Sequence, residues 1–266
     1  MFLWAWAQLI GKPGRWTGSK LVQHLGFTAE YFDFRSGLDT RTQRTPFSGG
    51  SGTLPAQPEL KGKTLVLAIV TMGITNTIGV YFVWLRGWAL LPLGLFGIIL
   101  LVTYTVWWVY HPVLCLIAPG LGFGLLMVMG THYALTGTYS WVSFLASLVP
   151  TFLVSDLLLL NQFPDVEADQ SVGRKHYPIL LGWKSSALIY GALLLLAYLA
   201  IVLGVVLDMF PVISLLALLT AVLGWRAFQG AKRHAENTEA LVSSLGLNVV
   251  VNVTTPLLLG LSLFLG

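Results

Sequence analysis

The chain has 266 residues, 56% of them hydrophobic and only 10% charged, with a formal net charge of +4. An ordinary soluble domain carries roughly 25% charged residues, so apolar runs of about 20 residues read here as membrane spans and exclude a soluble globule. The lone cysteine, Cys115, lies inside an apolar run, which excludes a disulfide framework or a cysteine metal site.

Met1–Ile10 is apolar but has no basic leading end, and Gly-Lys-Pro-Gly-Arg follows it; it does not read as a secretory signal. Residues 1–23 form an atypical N-terminal segment, and residues 24–266 are expected to form one transmembrane domain. Glu30 and Asp33 then stand three apart on one helical face, with Asp39 beyond Gly37. Taken alone, this acidic group fits a solvated amphipathic stretch equally well. Residues 40–63 are rich in Gly, Ser and Pro and cannot form a regular helix. Their Ser48-Gly-Gly-Ser-Gly52 lacks the Lys-Ser/Thr ending of a P-loop, so no nucleotide site is indicated.

Seven spans are expected, at about 64–86, 89–108, 113–135, 140–161, 184–206, 210–229 and 246–265. An all-α polytopic bundle follows, with the lipid bilayer as its solvent and no nucleic-acid partner. Between the fourth and fifth spans lies Asn161-Gln-Phe-Pro-Asp165-Val-Glu-Ala-Asp169, closed by Gly173-Arg174-Lys175. Charges are expensive near hydrocarbon, so a cluster at a membrane mouth points to function. Asn161, Asp165 and Asp169 are spaced to share a helical face, while Pro164 predicts a kink or a helix end. Asp156, higher in the same span, is a candidate deeper member, and Glu167 points away from the group.

Cation bias orients the bundle. Arg35, Arg41, Arg44, Lys61, Lys63, Arg174, Lys175, Lys184, Arg226, Lys232 and Arg233 fall on one face, and only Arg86 on the other. The first face is expected to be cytoplasmic, and it carries both acidic groups. Facing carboxylates suit magnesium, which keeps waters and takes phosphate oxygens as further ligands. Arg35, Arg41, Arg44, Arg174 and Lys175 could hold the same diphosphate. A cation transporter would instead need carboxylates near mid-membrane on several spans. The five histidines are scattered without zinc-site spacing.

At these residues the sequence resembles the UbiA superfamily of membrane prenyltransferases. Glu30-Tyr-Phe-Asp33-Phe-Arg35-Ser-Gly37-Leu-Asp39 is similar to its first acidic motif, N-D-x-x-D-x-x-x-G-x-D, with Ala29 at the asparagine. Asp156 through Lys175 is similar to the second motif, and Tyr104 to Gly122 to the middle region. Asn-Gln-Phe-Pro-Asp together with Thr-Pro-Phe-Ser-Gly-Gly-Ser-Gly most resembles the branch acting on 1,4-dihydroxy-2-naphthoate in menaquinone synthesis.

The resemblance implies a ring of nine transmembrane helices. It also implies Mg²⁺ held by Glu30, Asp33, Asp39, Asp165 and Asp169, with Asp33 and Asp165 catalytic. Asn161 and the cations named above would bind the diphosphate. The substrates implied are a polyprenyl diphosphate and an aromatic acceptor, naphthoate or else 4-hydroxybenzoate or homogentisate, and the setting a bacterial inner membrane. About 30 residues precede Asp33, too few for a first span and a full second one. A truncated or altered N-terminus, and with it impaired catalysis, is therefore an expectation of the reading.

Overall fold

The computed structural model describes residues 27–38, 45–46 and 52–266, the first four of these by backbone only. Among the described residues the regular structure is entirely helical. The α-helices of six or more residues are α1 (Phe27–Ser36), α2 (Lys61–Arg86), α3 (Leu91–Thr103), α4 (Pro112–Thr136), α5 (Trp141–Asn161), α6 (Val166–Ser171), α7 (Tyr177–Val206), α8 (Ala221–His234) and α9 (Thr238–Leu265). The stretch expected to hold no regular helix carries a short helical turn at Thr53–Ala56, and its last three residues open α2. α4 contains a π-helical turn at Leu121–Leu126, and a 3₁₀ stretch, Val212–Thr220, leads into α8.

Six of these helical runs are long and apolar enough to cross a membrane. The second expected span is shorter than its apolar pattern, because α3 stops at Thr103 and the chain turns through Tyr104–Trp107 into a 3₁₀ turn at Trp108–Tyr110. The fifth begins earlier than expected. Gly182 leaves helical geometry at φ 74° and ψ 170°, so α7 is a short polar-side turn kinked onto the long apolar rod that the sequence pattern reveals.

Local chemistry sets the ends. Ser140 caps α5 by accepting from Val142 N at 3.1 Å, and Asn237 caps α9 by accepting from Ala240 N at 3.1 Å. Arg86 donates through Nε to Ala134 O and through Nη2 to Leu135 O, both at 2.7 Å. Its guanidinium thus satisfies free carbonyls at the end of α4.

Hydrophobic side chains divide between core and lipid. Val149, Leu153, Leu159, Tyr190, Ile201, Leu241 and Leu245 are fully buried where α5, α7, α8 and α9 pack. Val66, Ile69, Val80 and Trp84 of α2 are exposed, as a surface solvated by acyl chains requires. A Cβ on Gly120 or Gly124 would collide with Thr151; these glycines let α4 press directly against α5. α5 is thereby fixed on several sides, and its C-terminal end carries the second acidic motif.

Candidate active site

The second motif is a helix end followed by a turn. α5 terminates at Asn161, and Asp165 N donates back to Gln162 O at 3.2 Å. Asp165 then starts α6, its carbonyl accepting from Asp169 N at 2.8 Å. Pro164, without an N–H, belongs in such a break. Gly173 takes φ 79°, the left-handed conformation that ends a short helix, and Arg174 N returns to Asp169 O at 3.1 Å. Lys175 N donates to Val109 O at 3.1 Å, pinning the loop to the turn before α4.

This path folds Arg174 back over its own acids. Nη1 of Arg174 lies 3.1 Å from Asp169 Oδ1, and Nη2 bonds Asp33 Oδ1 of α1, 141 residues away in sequence. The other oxygen of Asp169, Oδ2, accepts from His176 Nε2 at 2.9 Å. Burial disfavours the guanidinium charge, but the carboxylates of Asp33 and Asp169 outweigh it and hold Arg174 charged beyond its ordinary range.

Asp165 is in a different state. Its Oδ1 is buried with no hydrogen-bond partner. Burial, with the negative charge of Asp169, pushes its carboxyl up to about 8; Arg174 pulls it down and Asp33 raises it further. Asn161 Oδ1 is likewise buried and unpaired. Asp165 beside two carboxylates gathered on an arginine makes a site organised for cations and anions together.

The two acidic groups therefore meet, through Asp33 on one side and Asp165 and Asp169 on the other. Arg35 and Lys175 are exposed, and neither side chain joins the ion pairs. Glu167 is also exposed, as its position on the turn requires. The Glu30 side chain, Asp39, Arg41 and Arg44 lie outside what the structure describes. The shared helical face read for Asn161, Asp165 and Asp169 is corrected to a helix end, a turn and a second helix. His176 has no signal in the sequence, because only the turn at Gly173 brings it to Asp169. Gln162, which donates to Cys115 Sγ at 3.2 Å, is a second polar residue that motif spacing misses.

Asp156 is not a deeper member of this group. Five helical residues, at about 100° each, rotate it roughly 140° from Asn161, and it faces α9. It is fully buried, its Oδ1 accepting from Asn252 Nδ2 at 3.3 Å, and the same amide donates to Asn248 Oδ1 at 3.1 Å. Such bonds between membrane helices are worth about 0.6 to 1.7 kcal/mol. A double-mutant cycle of Asp156→Ala and Asn252→Ala, read by unfolding in detergent, is expected to return a coupling of that size. A coupling of zero would make the contact incidental.

Among the described residues no three His, Cys, Asp or Glu side chains are arranged to hold a metal by themselves. Both oxygens of Asp169 accept, from Arg174 and His176, and Asp33 Oδ1 accepts from Arg174. The donors nonetheless fit magnesium in the form it takes with phosphates, where one or two carboxylates are completed by phosphate oxygens and water. The unpaired oxygens of Asp165 and Asn161 have the required hardness.

Apolar spans, a lipid-facing surface and a carboxylate–arginine mouth define a polytopic integral membrane protein with a site for charged groups at one end. Residues 30–245 match the UbiA prenyltransferase family, and the chain belongs to it. It is 32% identical over 177 residues to a 1,4-dihydroxy-2-naphthoate octaprenyltransferase of Bacillus subtilis (strain 168). That match covers 65% of this chain and 55% of the relative, so the chain spans little more than half the relative's length. No solved structure matches the chain.

Proposed function

We propose that this chain transfers a polyprenyl group from its diphosphate to an aromatic acceptor, with 1,4-dihydroxy-2-naphthoate as that acceptor. The observation that carries the reading is the junction of the two acidic motifs, Asp33 with Asp165 and Asp169, around Arg174. Family membership supports prenyl transfer, and the naphthoate octaprenyltransferase relative supports the acceptor.

In this reading Asp33, Asp165 and Asp169, with Glu30 and Asp39, would hold magnesium, and residues 24–266 form the catalytic unit. Magnesium would supply Lewis-acid stabilisation of charge growing on the leaving diphosphate. Arg174 exchanges its carboxylate partners for diphosphate oxygens, which match the guanidinium fork equally well. Asn161 contributes a further polar contact, and Arg35, Arg41, Arg44 and Lys175 add positive charge around the mouth. The allylic C–O bond breaks as the diphosphate leaves, the aromatic carbon attacks the allylic cation, and the ring proton passes to an oxygen of the released diphosphate. Buried apolar walls keep water from the cation until the acceptor captures it. The mouth faces the cytoplasm of a bacterial inner membrane, in line with the cation bias.

The test uses membranes containing the full chain, supplied with Mg²⁺, octaprenyl diphosphate and a panel of acceptors. Prenylated naphthoate is the expected product. Product with 4-hydroxybenzoate or homogentisate only would reassign the acceptor, and none with any acceptor would overturn the activity.

A further inference from the structure

We propose that His176 is a positioning residue of the acidic clamp: it holds Asp169 by Oδ2 so that Oδ1 stays aimed at the cation. This rests on the metal-dependent reading above and extends it to a residue outside both acidic motifs.

The two oxygens of Asp169 have unlike partners. Oδ1 faces Arg174, whose side chain is 17% exposed and which also reaches across to Asp33. Oδ2 faces His176, whose side chain is 2% exposed. If Arg174 turns to the incoming diphosphate, His176 remains as the contact that fixes the carboxylate.

The histidine is built to stay. Its backbone carbonyl accepts from Ile179 N and Leu180 N, both at 3.1 Å, which makes it the N-cap residue immediately before α7. The residue before it is pinned to Val109. The ring is thus anchored to the short helical turn that leads into the α7 span, and through Lys175 N to Val109 O, rather than to the turn at Gly173 alone.

Its hydrogen bonding is equally one-sided. Nε2 bonds Asp169 while Nδ1 is buried without a partner. A buried histidine kept for packing alone would leave a polar ring atom unpaired for no return, and buried polar groups are rarely left so. The single bond that the ring does make is to the carboxylate. Partners behind a metal ligand orient it, and their loss typically weakens metal binding about 10–100-fold.

The experiment uses the full chain in detergent, with Mn²⁺ as probe and inorganic pyrophosphate present, and reads free Mn²⁺ by electron paramagnetic resonance. His176→Leu is expected to weaken Mn²⁺ binding by about 10–100-fold. His176→Asn, polar but too short to reach Oδ2, should weaken it similarly. His176→Gln, whose amide nitrogen can donate from near the Nε2 position, should restore most of the affinity. Metal-free melting of each variant reports folding separately. Wild-type Mn²⁺ affinity in His176→Asn or His176→Leu would overturn the role, as would Gln and Asn variants equally weak while melting like wild type. A wild-type protein that takes up no Mn²⁺ with pyrophosphate would instead remove the metal clamp itself, and this role with it.

Discussion

Asp165→Asn is expected to lower prenyl transfer by about 10²–10³-fold, the usual cost of losing one group that stabilises transition-state charge. Asparagine has the same shape as aspartate but cannot neutralise a cation. The substitution should leave the fold intact, because the buried Oδ1 of Asp165 has no hydrogen bond to lose. The comparison is kcat at saturating Mg²⁺ and donor. Unchanged turnover would remove Asp165 from the clamp.

The same variant has a pH signature without metal. Folding lifts the Asp165 carboxyl from its ordinary 3.8 to about 8, so between those values the folded chain holds a proton that the unfolded chain has lost. Stability contributed this way is complete below about pH 4 and declines as pH rises toward 8. The metal-free wild type should therefore lose part of its thermal stability over that window. Asp165→Asn should lack that part of the decline. Parallel melting curves for the two proteins would contradict the shift.

Arg174→Met is expected to have the second largest effect, this time on stability as well as activity. Removing one partner of a buried ion pair strands the other, at a cost of about 3–5 kcal/mol. Asp33 and Asp169 would both lose the arginine at once, with side chains 22% and 6% exposed, while His176 stays on Asp169 Oδ2. Partial access to water puts the loss near the lower end, about 3 kcal/mol. The charge argument makes a further demand. Mg²⁺ should raise the melting temperature of Arg174→Met more than that of wild type, since the ion then replaces the positive charge that Arg174 places between these acids. Equal melting of the two proteins without metal would show that Arg174 does not hold the clamp together.

The helices were legible because hydrocarbon imposes a length and a composition. The loop at Gly173 was legible only as a loop. Its glycine fixes a left-handed turn at φ 79°, and that turn decides whether Arg174 points outward or back over Asp169. Periodicity could likewise group Asn161 with Asp165 and Asp169, but it assumed a helix that the break before Asp165 ends. Asp156 was drawn to the same group by proximity along the chain, while rotation about α5 gives it to Asn252 of α9.

By itself the sequence determined an all-helical membrane protein, the approximate position of six of the seven spans it suggested, and two acidic motifs on one face. These follow from local quantities: run length, hydropathy, residue spacing and the side on which cations accumulate. Only the tertiary structure decided that Asp33 and Asp169 share Arg174, that His176 backs Asp169, and that Asp156 serves a helix contact. Each of these is a short-range interaction between side chains whose approach depends on helix rotation, turns and packing. No spacing along the chain encodes that.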